Sequence, residues 1–391
     1  MFLEILLAII IGVSAGTFTG LVPGIHTNLI AVILVSFTID VSNEFFVAVI
    51  CAMTITHSFI STIPSILLGA PEGGTALSVL PGHKLLLEGR GIEAVFYTYF
   101  GSAISLVASF FCIYLMKLFL SNFYEIIQQY IGYLLICVLI FIVFLNADKK
   151  RTLIVIILSG VIGYFVLDSR LENGLFSLLT GFFGVSTLVF SLKSRSEFPK
   201  QEFNGFNLKL SKTISTSLFG LVIGFFTSIL PGMGSSTGAT IGSVIKKENK
   251  PEDFLVMIGS ITTVNFFSSI IALDVINRAR NGSIVALRDL FGQNYIDIMI
   301  YSSLISGGLA LLLGIKLVYL MVRVISKINY QKLCISIIII LFLLGFFLSG
   351  LVGVYIIFIC FLVGFYANYF GISRNSMMSC IIVPVMFYFI F

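Results

Sequence analysis

Long apolar stretches, interrupted at a few polar or glycine-proline positions, dominate the pattern of this sequence. The first stretch runs from about Phe2 to Ile39. As one helix it would measure roughly 55 Å, whereas the hydrocarbon core of a bilayer is about 30 Å thick. Pro23 lacks a backbone donor and Gly24 tolerates conformations that other residues avoid, so we expect the helix to break there. Such a break at membrane depth is tolerated only beside protein or a polar cavity.

The same pattern returns in the second half of the chain. In the two segments, Gly12, Gly16, Phe18, Thr19, Pro23 and Gly24 match Gly220, Gly224, Phe226, Thr227, Pro231 and Gly232 in order. A second echo relates Ile55–Ile63 to Thr262–Ile270 with one residue of slip, which places Val264 opposite His57. Two echoes in the same order indicate duplicated halves, each with a broken polar segment, and this pattern is typical of secondary transporters.

Composition places these stretches in a membrane. Of the 391 residues, 58% are hydrophobic and 10% are charged, and the mean hydropathy is +1.10. A soluble protein of this size could not bury so much apolar surface. The apolar runs are long and continuous, which favours helices over the alternating strands of a barrel. The net charge of +5 is concentrated in loops, so it reflects orientation in the lipid bilayer and gives no reason to expect nucleic-acid binding.

Three basic segments set the predicted orientation. We place Asp148–Arg151, Lys193–Lys212 and Arg323–Lys332 in the cytoplasm by the positive-inside rule. The stretch around Pro231 must then return to its own side as a hairpin, because a full crossing there would put Arg323–Lys332 outside. The same logic at Pro23 places the N-terminus outside, gives each half five crossings and one hairpin, and inverts the second half.

These inferences predict the fold class and the domain organisation. We expect an all-α polytopic protein of the cell membrane, with two inverted-topology repeats, re-entrant hairpins and about 10–12 crossings. The first repeat is predicted at residues 1–193, a cytoplasmic linker at 194–212 and the second repeat at 213–391.

Polar residues at the two breaks and in the second echo form the candidate binding site. The predicted substrate-binding residues are Pro23, Gly24, His26, Thr27, Asn28, His57, Ser58, Pro231, Gly232, Gly234, Ser235, Ser236 and Asn265. Backbone N–H groups at the start of a half-helix suit a carboxylate. Neither break contains Lys or Arg, so we expect amides, hydroxyls and a co-transported Na⁺ or H⁺ to hold the anion.

Other interpretations of these residues stay open at this point. His26 and His57 are either functional ionisable groups at membrane depth or neutral imidazoles bonded to backbone carbonyls. Ser58 and Asn265 could instead make helix–helix hydrogen bonds. The charged residues between His83 and Arg90 are interpreted as a solvated cytoplasmic loop.

Several motifs give the chain a resemblance to a known family. They are Gly20–Asn28 (G-L-V-P-G-I-H-T-N), the G-A-P, T-A-L and P-G-H motifs within Pro64–Gly91, Leu178–Ser186 (L-L-T-G-F-F-G-V-S) and Leu230–Thr240 (L-P-G-M-G-S-S-T-G-A-T). With these motifs in order, the chain resembles the large permease subunit of the tripartite tricarboxylate transporters, the TctA family. The resemblance implies a multi-pass permease that imports carboxylates. It also implies that this permease works with a small membrane subunit and an extracytoplasmic solute-binding protein.

The predicted function is therefore secondary active transport of a small organic anion, by alternating access driven by an ion gradient. Carboxylates are the predicted substrates. A channel or a lipid-translocating protein is the alternative. An intramembrane enzyme is less favoured because the sequence contains no H-E-x-x-H motif. We accordingly predict no catalytic residue, no metal site and no cofactor.

Overall fold

The computed structural model describes residues 2–22, 27, 30–31, 42–68, 79–169, 171, 174–192, 199–203, 205, 209–230, 235–246, 250–325 and 330–390. Every regular element within these ranges is helical. In chain order the α-helices are α1 (Phe2–Leu21), α2 (Asn43–Ile60), α3 (Thr62–Leu67), α4 (Val79–Leu87), α5 (Gly91–Phe111), α6 (Ile113–Leu145), α7 (Lys149–Asp168), α8 (Gly174–Leu179), α9 (Ser186–Leu192), α10 (Leu210–Ile229), α11 (Ser235–Ile245), α12 (Pro251–Ile276), α13 (Gly282–Phe291), α14 (Ile296–Ile325), α15 (Tyr330–Tyr369) and α16 (Ser379–Ile390). A π-helical turn, Thr180–Val185, joins α8 to α9, and a 3₁₀ helix, Arg374–Met378, precedes α16.

The described ranges contain nine helices that are long and apolar enough to cross a membrane. The longest, α15, bends sharply at Gly350, where φ is 63°, a conformation that favours glycine. Its two arms fold back on each other, because Gly345 packs against Ile357. The arms therefore make separate crossings, and the two shorter apolar helices 174–189 and 374–390 bring the total into the predicted range. The prediction of an all-α polytopic membrane protein is confirmed.

Two pairs of helices repeat the same packing. In the first pair Gly16 of α1 lies against Met53 and Thr56 of α2. In the second pair Gly224 of α10 lies against Ile261 and Val264 of α12. Glycine at these positions lets the helix backbones approach closely, since an added Cβ would collide with the partner helix. In each pair the contacts advance together along both helices, so α1 runs parallel to α2 and α10 runs parallel to α12.

A parallel pair requires the intervening chain to return to the side on which it began. The Nζ of Lys212 at the start of α10 lies 2.5 Å from Oδ2 of Asp253 at the start of α12. Both helices therefore begin at the same face, as the hairpin hypothesis requires. The returning segment contains α11, whose 11 residues span about 17 Å, roughly half of the hydrocarbon core.

The first pair runs in the opposite direction to the second. Helices α2 and α14 are parallel, because Asn43 donates to the hydroxyl of Tyr295 at 3.3 Å and Ile55 lies beside Gly307. Helices α5 and α14 are antiparallel, because the Phe96 ring faces Tyr319 whereas Leu106 packs on Gly307.

Helices α5 and α12 in turn are parallel, as two contacts show. Arg90 donates to Glu252 at 2.9 Å, and Ser260 donates to the carbonyl of Gly101 at 3.1 Å. Since α12 follows the direction of α5, and α5 opposes α14 and hence α2, α2 and α12 run in opposite directions. The duplicated pairs are thus inverted, as the repeat pattern predicted. The domain boundaries at 193 and 213 remain predictions.

Helices α5 and α6 meet at Cys112, inside a long apolar stretch. Polar residues near Ser121 do not end α6 because they are exposed, and Asn122 donates back to the carbonyl of Leu118. Within the proline-rich residues 58–91, α2 ends at Ile60 and α3 begins at Thr62.

Candidate functional site

The structure describes part of the predicted site. Pro23, Gly24, His26, Asn28, Pro231, Gly232 and Gly234 lie outside the described residues, as does the side chain of Ser236. The remaining candidates are Thr27, His57, Ser58, Ser235 and Asn265, and four of these five lie in or directly beside the repeated helix pairs.

In the first pair, His57 of α2 contacts Thr19 of α1. The His57 Nδ1 and Thr19 Oγ1 atoms are 3.0 Å apart, and Thr19 donates its hydroxyl proton to the carbonyl of Gly16 at 3.2 Å. With that proton committed, Thr19 accepts from an Nδ1–H of His57. Both side chains are buried, so this contact fixes the orientation of the imidazole between the helices.

In the second pair, Asn265 of α12 contacts Thr227 of α10 at the equivalent position, with the threonine as the donor. Thr227 Oγ1 lies 3.1 Å from the carbonyl of Gly224 and 3.2 Å from Oδ1 of Asn265. Asn265 extends the network, because its amide donates to Oγ of Ser235 at 3.2 Å. Ser235 is buried and opens α11, the helix that follows the Pro231 break. Asn265 thus makes a hydrogen bond between helices α10 and α12, and its bond to Ser235 joins the start of α11 to α12; whether it also binds substrate stays a prediction.

These two contacts are equivalent positions of the repeat. A constant offset of 208 residues relates Thr19 to Thr227 and His57 to Asn265, and it also relates the glycines and their contacts in the two helix pairs. The one-residue slip that set Val264 opposite His57 was therefore wrong. Val264 corresponds to Thr56, because Gly16 packs on Thr56 as Gly224 packs on Val264.

Both contacts lie close to the middle of the membrane. His57 is the fifteenth residue of the 25-residue span Asn43–Leu67, and Asn265 is the fifteenth of the 26-residue span Pro251–Ile276. Helices α2 and α12 also contact each other directly. Polar side chains at this depth are costly unless they pair with each other or with a ligand.

Further candidate side chains differ in their surroundings. Ser58 donates to the carbonyl of Ile55 at 2.7 Å, so its hydroxyl bonds within its own helix and does not join the Thr19–His57 contact. Thr27 is buried. Thr237 in α11 is fully buried, and its hydroxyl has no partner among the described residues, which leaves an unsatisfied polar group two residues after Ser235.

A buried arginine near α11 was missed by sequence reasoning. Arg374, in the 3₁₀ helix that contacts α11, is 7% exposed. Its Nε donates to Oδ1 of Asn368 at 3.2 Å, whereas its Nη1 has no partner and no carboxylate of the described chain pairs with it. The only sequence signal was a single arginine directly before the last apolar run. The absence of Lys and Arg from the breaks therefore does not mean that no fixed positive charge lies nearby.

His83 lies close enough to Arg374 to sense that charge. Burial, together with the charge of Arg374, lowers the pKa of His83 to about 4, although a bond to the backbone of Ile66 opposes both effects. The imidazole is therefore neutral at physiological pH, and it adds no second positive charge beside the arginine.

The charged segment His83–Arg90 is not a simple solvated loop. Arg90 bonds to Glu93 and to Glu252, each at 2.9 Å from Nη2, and the Glu93 side chain is 2% exposed. Since Glu252 opens α12, this ion cluster joins the two halves at the face where α5 and α12 begin. The solvated interpretation was wrong for Arg90, because the second half covers it.

Comparisons with known proteins agree with this architecture. The family model described as the tripartite tricarboxylate transporter TctA family matches residues 6–379. An uncharacterised protein of Methanocaldococcus jannaschii is 32% identical over 398 residues, which cover 98% of this chain and 99% of that protein. No solved structure matches the chain. With nearly its whole length matched by the family model, the chain belongs to the tripartite tricarboxylate transporter TctA family.

Proposed function

We propose that this protein is a secondary active transporter of the cell membrane that carries a small carboxylate by alternating access, driven by a Na⁺ or H⁺ gradient. The observation that carries the proposal is the pair of equivalent contacts, Thr19–His57 and Thr227–Asn265, in inverted helix pairs near the middle of the membrane. Inverted repeats with broken helices place substrate sites at this depth in secondary transporters.

The inversion supplies two equivalent arrangements with opposite directions. In one half the broken segment follows Thr19, and in the other it follows Thr227 and leads to Ser235. Movement of one hairpin against its own helix would open the site toward one face, and the equivalent movement in the other half would open it toward the opposite face. The asymmetry between His57 and Asn265 gives the two halves different chemistry, since only the imidazole can exchange a proton.

Two features support a negatively charged substrate. Ser235 begins α11, and the backbone N–H groups in the first turn of a helix favour an anion. Arg374 is a buried positive charge without a described carboxylate partner, close to the same helix. Leaving such a charge uncompensated is costly, and a bound carboxylate would remove that cost.

The family description also bears on the partners. Members of this family are components of a tripartite transporter, so we propose that the chain acts with a small membrane subunit and an extracytoplasmic solute-binding protein. The binding protein would deliver the anion to the face opposite the Lys193–Lys212 segment.

Uptake by the purified protein in liposomes tests the proposal. Labelled citrate, succinate and acetate would be offered under an imposed sodium gradient, an imposed proton gradient and no gradient. We expect saturable accumulation of at least one carboxylate that requires one of the gradients. Flux that does not saturate and continues without a gradient would instead identify a channel. Binding of the same carboxylates in detergent, measured by thermal stabilisation, provides a second readout that does not depend on partner subunits.

A further inference from the structure

A basic pocket opens beside the ends of α10 and α12, and it is not lined by Thr227 or Asn265. Its cavity volume is about 270 Å³, which is large enough to hold a small organic anion. Its walls include Ser228 at the end of α10, Ser268 in α12, and Arg278, Arg280 and Arg288 beyond the end of α12.

Two of the three arginines in this pocket have no acidic partner. Arg288 is paired with Asp289 at 2.7 Å. Arg278 donates to the hydroxyl of Tyr124 at 3.2 Å, a neutral partner. Arg280 uses its backbone N–H to bond Ser269 at 2.9 Å, whereas its guanidinium makes no hydrogen bond or ion pair in the described chain. The pocket therefore carries net positive charge.

Arg280 remains charged at neutral pH. Its side chain is exposed in the pocket, and partial desolvation by the surrounding protein lowers the pKa of Arg280 only to about 10. Tyr124 opposes that shift, and the neighbouring Arg278 adds to it.

A buried hydroxyl in the pocket wall has no hydrogen-bond partner among the described residues. Ser268 is 1% exposed, it lines the pocket, and its Oγ has no hydrogen-bond partner among the described residues. A buried polar atom without a partner is uncommon and calls for an explanation. A carboxylate between the arginines and Ser268 would supply the missing acceptor.

The pocket extends from one membrane face toward the level of the central contacts. Its outer end, at Arg278 and Arg280, lies beyond the C-terminus of α12, at the face opposite the Lys212–Asp253 pair. Its inner end reaches Ser228, which follows Thr227, and Ser268, which is one helical turn beyond Asn265. The same face is the one that the positive-inside rule places outside the cell.

We propose that this pocket is the outer anion-recruitment site of the transporter, in which a small carboxylate binds to Arg280 and Ser268 before it reaches Asn265. The inference rests on the proposed function for its second step, since recruitment matters only if the anion then moves inward. Positive charge at the mouth of a cleft raises the local concentration of anions and the rate at which they associate.

Arginine labelling tests the site without requiring transport. The purified protein in nanodiscs of zwitterionic lipid would be treated with phenylglyoxal, and modification of Arg280 would be measured by mass spectrometry. We expect citrate or succinate to reduce this modification severalfold, whereas neutral glycerol should not. Nanodiscs that contain anionic phosphatidylglycerol form the second arm of the experiment. Protection by that lipid without added carboxylate would overturn the proposal, because it would identify a lipid-headgroup site, and so would the absence of protection by every carboxylate.

Uptake kinetics test the second step. In Arg280→Gln we expect KM for the transported carboxylate to rise about tenfold with little change in maximal rate, and the dependence of uptake on ionic strength to weaken. Arg280→Lys should recover much of the loss. Lys150→Gln removes an exposed charge at the start of α7 and should leave KM unchanged. If carboxylates protect Arg280 but no uptake occurs, the proposed function fails and the anion site stands. If uptake occurs and Arg280→Gln keeps the wild-type KM, recruitment by this pocket is excluded.

Discussion

His57 and Asn265 occupy equivalent positions in two helices that run in opposite directions, and each contacts the equivalent threonine of its own partner helix. The conserved geometry with unlike side chains shows that the packing of the repeat is retained where its chemistry differs. Imidazole and carboxamide each carry two polar atoms, so either side chain can bond the threonine of its partner helix.

Loss of the Asn265 side chain should weaken substrate binding. Asn265→Ala removes the bonds to Thr227 and Ser235, and each lost bond to a charged ligand or its immediate support costs about 1.5–3 kcal/mol. We expect affinity for the transported carboxylate to fall roughly tenfold or more. Ser58→Ala is the matched control, because that hydroxyl bonds only to Ile55 in its own helix; an equal loss in both variants would argue against a specific role for Asn265.

Glycine-to-alanine substitutions should destabilise the protein only where the glycine lies against a partner helix. Gly16→Ala and Gly224→Ala place a methyl group against Met53 and Val264 of the partner helices, and such overpacking costs about 1–3 kcal/mol. Gly308 in α14 has open space around it, so Gly308→Ala should be neutral or stabilise the helix by up to about 1 kcal/mol. Thermal unfolding in detergent measures the difference. Destabilisation of similar size in all three variants would contradict the packing described for the repeat.

Replacing Arg374 should make the folded protein more stable but abolish carboxylate uptake. Removing an unpaired buried charge in Arg374→Met is expected to stabilise the folded protein by about 1–4 kcal/mol, while carboxylate uptake is lost. Arg151→Met removes an exposed arginine that pairs with Asp148 and should change stability by less than about 1 kcal/mol. A stable Arg374→Met protein with normal uptake would show that the buried charge does not meet the substrate.

His83 should make the protein less stable in acid. Its pKa of about 4 in the folded protein lies below the ordinary histidine pKa of 6.5, so between these values the unfolded chain binds a proton that the folded chain does not bind. Stability is therefore complete above pH 6.5 and decreases as the pH falls toward 4, by up to roughly 3 kcal/mol. The melting temperature of His83→Gln should vary less over this interval than that of the wild type. An unchanged pH profile would mean that other groups control acid stability.

The sequence predicted the broken segments and the duplication because both depend on local signals. Pro23 and Pro231 interrupt apolar runs, and the glycines of α1 and α10 repeat at the same spacing. The register of α2 against α12 was misassigned because I-T-H-S and T-T-V-N resemble each other at more than one offset. Contacts of Gly16 and Gly224 across the helix pairs resolve the register, and such tertiary contacts cannot be read from one chain segment.

Arg374 and Arg280 could not be assigned from the sequence for a related reason. Arg374 is a single arginine before an apolar run and Arg280 belongs to a short basic segment after one, and the importance of each depends on which groups lie near it in the fold. Arg374 is buried without a described carboxylate, and Arg280 lines a pocket formed by distant helices. Arg90 shows the opposite case, since the same type of residue is paired with Glu93 and Glu252 across the two halves.

Counterflow in proteoliposomes tests the central claim most directly. Vesicles that contain the protein and are preloaded with an unlabelled carboxylate would be diluted into a trace of the same labelled carboxylate, without an ion gradient. The account predicts transient accumulation of label by the wild type, little by Asn265→Ala and by His57→Ala, and wild-type behaviour in Ser58→Ala. Undiminished counterflow in both Asn265→Ala and His57→Ala would contradict a substrate site at the paired contacts of the inverted repeats.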